Sequence, residues 1–180
     1  TKESPWLTSG LMGLITGYRV WDYSLRNIKF LEGYDLKYPV VHMPVGYVSE
    51  ISRIESAFEQ DIDVLFYGSL NSRRQRVLNE LSDLGYRVKR LCGVYGPERD
   101  AWISRSKIVL NIHYYDSKIF EIARVSYLLA NKKAVVSECD EYTEVEPGFE
   151  RALALVPYGN LVGECLRILE NSDLRREYEK

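Results

Sequence analysis

Short apolar runs alternate with amphipathic stretches along the chain from about residue 61 onward. The clearest amphipathic stretch is 73–85, where the apolar positions 77, 78, 81 and 84 recur at helical spacing. The continuously apolar runs are typical of strands that are buried on both faces of a parallel sheet. The pattern predicts strands at 63–68, 86–91, 107–113, 133–138 and 152–157, and helices at 73–85, 97–106, 118–131, 160–171 and 172–179. It therefore predicts an α/β fold, built as a Rossmann-like doubly wound parallel sheet.

The helix predicted at 73–85 carries signals at both of its ends. Ser72 with Gln75 fits an N-terminal capping box, and Gly85 fits the left-handed residue that follows a last helical turn. We therefore expect Ser72 to be the N-cap of this helix and Gly85 to follow its last turn.

Residues 1–60 do not continue this rhythm. They predict a glycine-interrupted helix, a short strand in RVWDYS, a helix that Ser24 begins, and a strand in YPVVHMPVGY that Pro44 and Gly46 stop. These are too few strands for an independent α/β domain. We expect residues 1–46 to be the tail of a preceding domain, kept as a partial N-terminal appendage, residues 47–60 to be a polar connector, and residues 61–180 to be the Rossmann-like domain.

The composition narrows the function classes. A formal net charge of −2 over 180 residues gives no general electrostatic reason to bind nucleic acid. Three distant cysteines without a CxxC motif, and no signal peptide, favour a reduced cytoplasmic protein. No apolar run approaches the roughly 20 residues that span a bilayer, although a peripheral membrane contact stays open.

The turn HYYDSK follows a predicted strand, at the sheet edge where ligands bind in open parallel sheets. If Ser117 or Lys118 begins the next helix, the free amides of the first turn, through Phe120, would favour a phosphate, and Lys118 would add a charge. His113 and Asp116 lie in the same turn, and we include both as candidate ligand-binding residues.

Glu121 and Arg124 lie three residues apart on the helix predicted after this turn. They could form an ordinary surface ion pair. Alternatively, Arg124 holds a phosphate or ribose while Glu121 fixes its orientation. The helix position next to the phosphate end favours the second interpretation.

A second such turn lies in YGSLNSRRQR. Gly68 and Ser69 could let the backbone approach a ligand closely. Arg73 and Arg74 place cations in a first helical turn, where the helix dipole disfavours them, so an anionic ligand is a reasonable inference. The alternative is that both arginines are solvated or pair with distant carboxylates. Neither GxxxxGK[ST] nor GxGxxG is present.

A third turn, CGVYGPERD, contains two glycines and a tyrosine beyond a predicted strand. Val94 and Tyr95 could form a platform for a nucleotide base, or the segment could be an ordinary turn. Metal and nucleophile sites are not indicated, because His42 and His113 lie far apart in sequence and no Cys or His cluster has ligand spacing. The acidic residues of 138–146 could coordinate a hard cation, but a solvated loop is favoured.

The sequence contains, in order, VWDYS, PVGY, DVLFYGSLN, GVYGPERD, SKIVLNIHYY and SYLLANKKAVVSE. Over residues 18–180 this series resembles the nucleotide-sugar-binding C-terminal half of bacterial, family-1-like GT-B glycosyltransferases. The resemblance implies transfer of a sugar from a nucleotide-sugar donor to a glycan or other acceptor, in polysaccharide biosynthesis, without a metal or other cofactor. It also implies that the chain is a fragment whose missing N-terminal domain binds the acceptor.

The resemblance fails at one motif. Many relatives hold the donor with two glutamates separated by seven residues, and those positions correspond here to Ile119 and Tyr127. We infer that Glu121 and Arg124 carry part of the ribose or phosphate role instead. The resemblance then implies that Lys118, Arg124 and Arg73, or its neighbour Arg74, stabilise the leaving diphosphate. Two alternatives remain, a non-catalytic interaction module with a decayed donor site and a nucleotide-sugar epimerase.

Overall fold

A computed structural model describes residues 7–55, 57, 59–115 and 118–180. The chain divides into two compact units, Thr1–Gly46 and Tyr47–Lys180. The predicted ligand-binding residues Asp116 and Ser117 lie outside the described residues.

The first unit pairs two short parallel strands and carries two helices. Trp21 of one strand lies opposite Val41 of the other. The predicted Ser24 helix start is confirmed, because the Ser24 hydroxyl accepts a hydrogen bond from the amide of Asn27 at 3.3 Å. The elements are α1 (Ser9–Gly17), β1 (Trp21–Asp22), α2 (Leu25–Leu31) and β2 (Val41–His42).

The second unit is a five-stranded, all-parallel sheet with the strand order β4-β3-β5-β6-β7. Its elements are β3 (Ile62–Tyr67), α3 (Ser72–Asp83), β4 (Val88–Leu91), α4 (Gly96–Ser104), β5 (Ser106–Asn111), α5 (Ile122–Ala130), β6 (Ala134–Glu138), β7 (Ala154–Val156), α6 (Leu161–Glu170) and α7 (Ser172–Tyr178). The predicted α/β fold with a parallel sheet is confirmed.

Helices cover both faces of this sheet. On one face, buried side chains of alternate strand positions pack with α3 and α6, as Phe66 does with Leu78 and Leu161. Because side chains alternate along a strand, Leu65 and Val109 point to the opposite face, where α4 and α5 run beside β5 and β6. Double coverage explains why the strands read as continuous apolar runs.

The cap of α3 differs from the prediction at one end. Asn71, not Ser72, is the N-cap, and its side-chain oxygen accepts from the amide of Arg74 at 2.9 Å. The predicted capping box is therefore wrong. The left-handed Gly85 is confirmed, with φ of 90° and the amide of Tyr86 returning to the carbonyl of Leu81 at 3.2 Å.

The start of α5 is also corrected. We expected this helix to begin at residue 117 or 118, but it begins at Ile122 with Glu121 as its N-cap. Lys118 has φ of 49°, a left-handed conformation that a helix cannot include. The amides of the predicted first turn, through Phe120, therefore precede the helix and do not form its positive end.

Part of the predicted connector is fastened to the end of α5. The side-chain oxygen of the buried Asn131 accepts from the amides of Arg53 and Ile54 at 2.8 and 2.7 Å, and its amide group donates to the carbonyl of Ile51 at 2.8 Å. Residues 51–54 are thus held at the end of α5 by hydrogen bonds between their backbone groups and the Asn131 side chain.

Candidate functional site

The candidate site lies at the carboxyl ends of β3 and β5. Along the chain, β3 is followed by β4 on one side, and the chain then crosses to β5 on the other side. Strand order reverses here, which opens a crevice where ligands bind in open α/β sheets. Gly68 follows β3 directly, and His113 follows shortly after β5.

Two guanidinium groups border Gly68. The position that a β-carbon would occupy on this glycine lies 3.1 Å from Nη2 of Arg124 and 3.5 Å from Nη1 of Arg74. Gly68 has φ of 132°, so glycine meets both the conformational and the spatial demand. Burial, and next the positive charge of Arg124, lower the pKa of Arg74 to about 10. These two cations outnumber the one carboxylate beside them, Glu121, whose Oε1 lies 3.8 Å from Nη2 of Arg74, so the site favours an anion.

The backbone holds Arg74 in place. Its Nε donates to the carbonyl of Ile112 at 2.9 Å, and its Nη1 donates to the carbonyl of Ser69 at 2.8 Å. The guanidinium also lies 5.1 Å from the ring centres of Phe66 and Tyr114. The side chain is buried and its direction is fixed.

Asn111 and Tyr67 hold Arg124. The Nη1 of Arg124 donates to the side-chain oxygen of Asn111 at 3.1 Å, and the guanidinium lies 4.9 Å from the ring centre of Tyr67. Burial raises the pKa of the Tyr67 phenol to about 12, although the charges of Arg124 and Arg99 oppose this. Tyr67 therefore stays neutral and presents its ring to the cation.

Glu121, at the start of α5, lies near Arg74 and shares the partner Asn111 with Arg124. Its Oε2 accepts from the side-chain amide of Asn111 at 3.0 Å and lies 3.0 Å from Nδ1 of His113. Its Oε1 lies 3.8 Å from Nη2 of Arg74. Burial raises the pKa of this carboxyl, but His113, Asn111 and Arg124 together lower it, so the group is ionised. The described contacts do not include the surface ion pair between Glu121 and Arg124.

The other two predicted catalytic cations are paired with carboxylates. Arg73 forms an ion pair with the buried Glu138, and its guanidinium lies 3.9 Å from the ring centre of Tyr158. Lys118 forms an ion pair with Asp140, and this hydrogen bond raises the pKa of the lysine. Pairing of Arg73 with a distant carboxylate was one of the two sequence-based alternatives, and the structure shows that pair.

The remaining predicted residues lie at different depths. The carbonyl of Ser69 is occupied by Arg74. Phe120 is buried and packs edge-on against Phe149, with ring centres 6.0 Å apart. Val94 is half-buried and Tyr95 is 77% exposed at the start of α4, and no described contact joins Tyr95 to the arginines.

Tyr127 stands where relatives of the resembled family carry a glutamate, and the structure places it in an alternating stack. The guanidinium of Arg99 lies 4.6 Å from the Tyr127 ring centre and 5.7 Å from that of Tyr67. The guanidinium of Arg53 also lies near Tyr127, 5.6 Å from its ring centre, and the Nε of Arg53 donates to the Tyr127 hydroxyl at 3.1 Å. Asp100 forms ion pairs with Arg99 at 2.8 Å and with Arg53 at 3.2 Å. Through Tyr67, the stack connects Arg124 to Arg53 in the segment 51–54.

Sequence reasoning missed three residues that organise the site. Asn111 is a buried polar residue that interrupts the apolar run from Ile108 to Ile112, and that irregularity was a usable signal. Tyr67 and Arg99 gave no comparable signal, since their contact joins β3 to α4, two elements that lie far apart in sequence. Among the described residues, no group of three His, Cys, Asp or Glu side chains could hold a metal ion. None of the helices within those residues has the length and apolarity needed to cross a bilayer.

No family model matches the sequence. Two uncharacterized proteins of Acanthamoeba polyphaga mimivirus are 29% and 33% identical to it, each over 159 residues, and cover 83% and 86% of the chain. The chain spans about half the length of these relatives, 50% and 54%.

Solved structures match the fold over most of the chain. TarM superposes with a TM-score of 0.61 at 12% identity, covering 89% of this chain and 38% of its own. Sucrose-phosphate synthase from Thermosynechococcus elongatus superposes with a TM-score of 0.54 at 16% identity, covering 89% of this chain and 51% of its own. The fold resembles that of GT-B glycosyltransferase domains.

Proposed function

We propose that the crevice between β3 and β5 binds the diphosphate of a nucleotide-sugar donor. The protein would then transfer the sugar to a glycan or another acceptor. The observation that carries this proposal is the position of Arg74 and Arg124, whose guanidinium groups both border Gly68.

Guanidinium groups suit this task. A guanidinium group carries a planar fork of N–H donors that matches phosphate oxygens, and its charge is kept across the physiological pH range. Arg74 and Arg124 reach the crevice from different helices. Because Nε and Nη1 of Arg74 already donate to the carbonyls of Ile112 and Ser69, Arg124 would donate to the phosphate and Arg74 would add its charge. Gly68 has no side chain, so a phosphate could approach its backbone closely.

The same groups would assist the chemical step. Negative charge builds on the diphosphate as the bond to the sugar breaks, and preformed donors stabilise that charge without rearranging. Two fixed guanidinium groups would supply this stabilisation without a metal ion. The Oε1 atom of Glu121, which faces Arg74, would accept a hydrogen bond from a hydroxyl of the ribose or the sugar.

The fold supports a function in glycosyl transfer at a general level. The chain spans only about half the length of its curated relatives. Transfer of the sugar to an acceptor is therefore part of the proposal, as binding of the donor is.

The test is a thermal-shift and calorimetric titration with UDP, GDP, ADP, dTDP and their common sugar conjugates. We expect one diphosphate to stabilise the protein selectively and Arg124→Ala to abolish that stabilisation. Arg76→Ala is the matched control, because Arg76 is exposed on α3 away from the crevice, and it should bind like the parent. Absence of any shift at millimolar ligand would instead indicate a non-catalytic module, and epimerised sugar without an acceptor would indicate an epimerase.

A further inference from the structure

The first unit contains a cleft of its own. Its volume is about 330 Å³, within the range of roughly 300–1,000 Å³ that is usual for small-molecule sites. The cleft is lined by Trp21, Asp22, Tyr23, Asn27, Met43, Pro44 and Val45. It is separate from the arginine site, whose residues all belong to the second unit.

The cleft lies where the topology of the unit places a ligand. β1 and β2 are parallel, with Asp22 opposite His42, so both strands end on the same side. Residues 43–45 continue from the end of β2, and Tyr23 continues from the end of β1. The carboxyl ends of parallel strands are the usual position of ligands in α/β folds.

The lining combines one flat apolar surface with two hydrogen-bonding side chains. Trp21 is 65% exposed and Met43 is 50% exposed, although both are large apolar residues at a cleft. Asp22 and Asn27 supply a carboxylate and an amide beside them. A pyranose ring matches this combination, because its C–H face packs on an indole ring while its hydroxyl groups donate to a carboxylate and exchange hydrogen bonds with an amide.

The polar groups are already oriented. The Oδ1 of Asp22 accepts from the amide of Ser24 at 2.7 Å, and its Oδ2 accepts from the side-chain amide of Asn27 at 3.1 Å. A carboxylate offers about four acceptor positions, so Asp22 retains capacity for a ligand hydroxyl. Preorganised polar groups lower the cost of ordering a site when a ligand binds.

We infer that this cleft binds a sugar ring, with Trp21 as the stacking platform and Asp22 and Asn27 as the hydroxyl partners. The inference that a sugar binds here depends only on the geometry of the cleft. That this sugar is the acceptor of a transfer reaction rests on the proposed function.

The experiment is a two-dimensional NMR titration of the full chain with methyl α-glucoside, methyl α-mannoside, methyl β-galactoside and maltose. We expect one of these sugars to shift the amide signals of residues 21–27 and 43–45. Trp21→Ala should weaken that binding by about tenfold or more, since a stacking contact is lost. Trp21→Phe should retain most of it, because it keeps an aromatic face.

Tyr18→Ala is the matched control. Tyr18 is 67% exposed in the same unit but does not line the cleft, so its removal should leave sugar binding unchanged. The proposal fails if no sugar shifts these signals or if Trp21→Ala binds as well as the parent. Concentration-dependent broadening of residues 21–45 without any sugar effect would also overturn it, because the face would then contact protein.

Inorganic pyrophosphate added to the same samples separates this inference from the proposed function. Pyrophosphate should shift the signal of Gly68 whether or not a sugar binds to the first unit. Sugar binding without a pyrophosphate effect would leave the cleft intact and remove the donor site, and the reverse result would remove the cleft alone.

Discussion

The Nδ1 of His113 lies 3.0 Å from the Oε2 of Glu121. His113 is buried just beyond β5, and Glu121 is the residue from which α5 begins. The contact therefore ties the end of a central strand to the start of the helix that carries Arg124. It also helps to keep Glu121 ionised beside two arginines.

Loss of this contact should destabilise the second unit. We expect His113→Ala to lower the free energy of unfolding by about 1–3 kcal/mol, because the half-buried Glu121 carboxylate loses a hydrogen-bond partner. Urea denaturation monitored by circular dichroism measures the change. His42→Ala removes an exposed histidine and should cost less than about 0.5 kcal/mol; equal losses in the two variants would contradict the role of His113.

A β-carbon at Gly68 should disturb the anion site. The residue has φ of 132°, and the added carbon would lie 3.1 Å from the Arg124 guanidinium. We expect Gly68→Ala to cost about 1–3 kcal/mol of stability and to weaken binding of inorganic pyrophosphate by about tenfold. Calorimetry and denaturation measure the two effects.

Gly163→Ala provides the comparison for that substitution. Gly163 is helical, and no atom lies within 4 Å of the position of its β-carbon. Alanine there should stabilise α6 by about 0.5–1 kcal/mol and should leave pyrophosphate binding unchanged. Unaltered pyrophosphate binding in Gly68→Ala as well would show that the guanidinium groups do not depend on the glycine.

Lys133 should be replaceable with a gain in stability. It is fully buried, and its Nζ has no hydrogen-bond partner among the described residues. Burial lowers the pKa of its ammonium group, an effect that Glu179 opposes. At neutral pH we expect Lys133→Met to raise the free energy of unfolding by about 1–3 kcal/mol.

The gain should depend on pH with a defined sign. The folded pKa of Lys133 lies below the unfolded value of 10.5, so the cost of burying the charge is complete below the folded pKa and disappears as pH rises toward 10.5. Denaturation at several pH values checks this trend. Lys132→Met alters the exposed neighbour and should show no such gain; a destabilised Lys133→Met protein would mean that the ammonium group has a partner.

Asp63 should make the protein sensitive to acid. Burial raises the pKa of its carboxyl, but hydrogen bonds from Arg87 and Lys107, the latter at 2.7 Å, outweigh this and bring the pKa down to about 2. The carboxylate therefore stabilises the fold above its ordinary pKa of 3.8, and we expect about 2 kcal/mol to be lost as pH falls toward 2.

Denaturation curves between neutral and acidic pH test this expectation. Asp63→Asn should be less stable at neutral pH and should lose less stability in acid. Asp83→Asn, at an exposed position on α3, should follow the parent curve. An unchanged acid transition in Asp63→Asn would show that other carboxylates govern it.

The sequence by itself determined the architecture of the second unit. Buried parallel strands must be apolar on both faces, and the apolar positions of amphipathic helices recur at the helical period. Strands such as 63–68 and the helix near 73–85 could therefore be predicted from residue type alone. The role of Gly85 could also be predicted locally, because a left-handed backbone position favours glycine. The turns after β3 and β5 could also be placed at one edge of the sheet, because parallel strands end on the same side.

Tertiary structure alone decided which charges face the crevice. Arg73 and Lys118 are paired with Glu138 and Asp140, far away in sequence, while Arg74 and Arg124 meet at Gly68 from two helices. Local patterns carry no record of such pairs, because they depend on the order of strands and on the faces from which helices approach. The start of α5 shifted for the same reason, since Glu121 is fixed by Asn111 and His113, which lie on the neighbouring strand end.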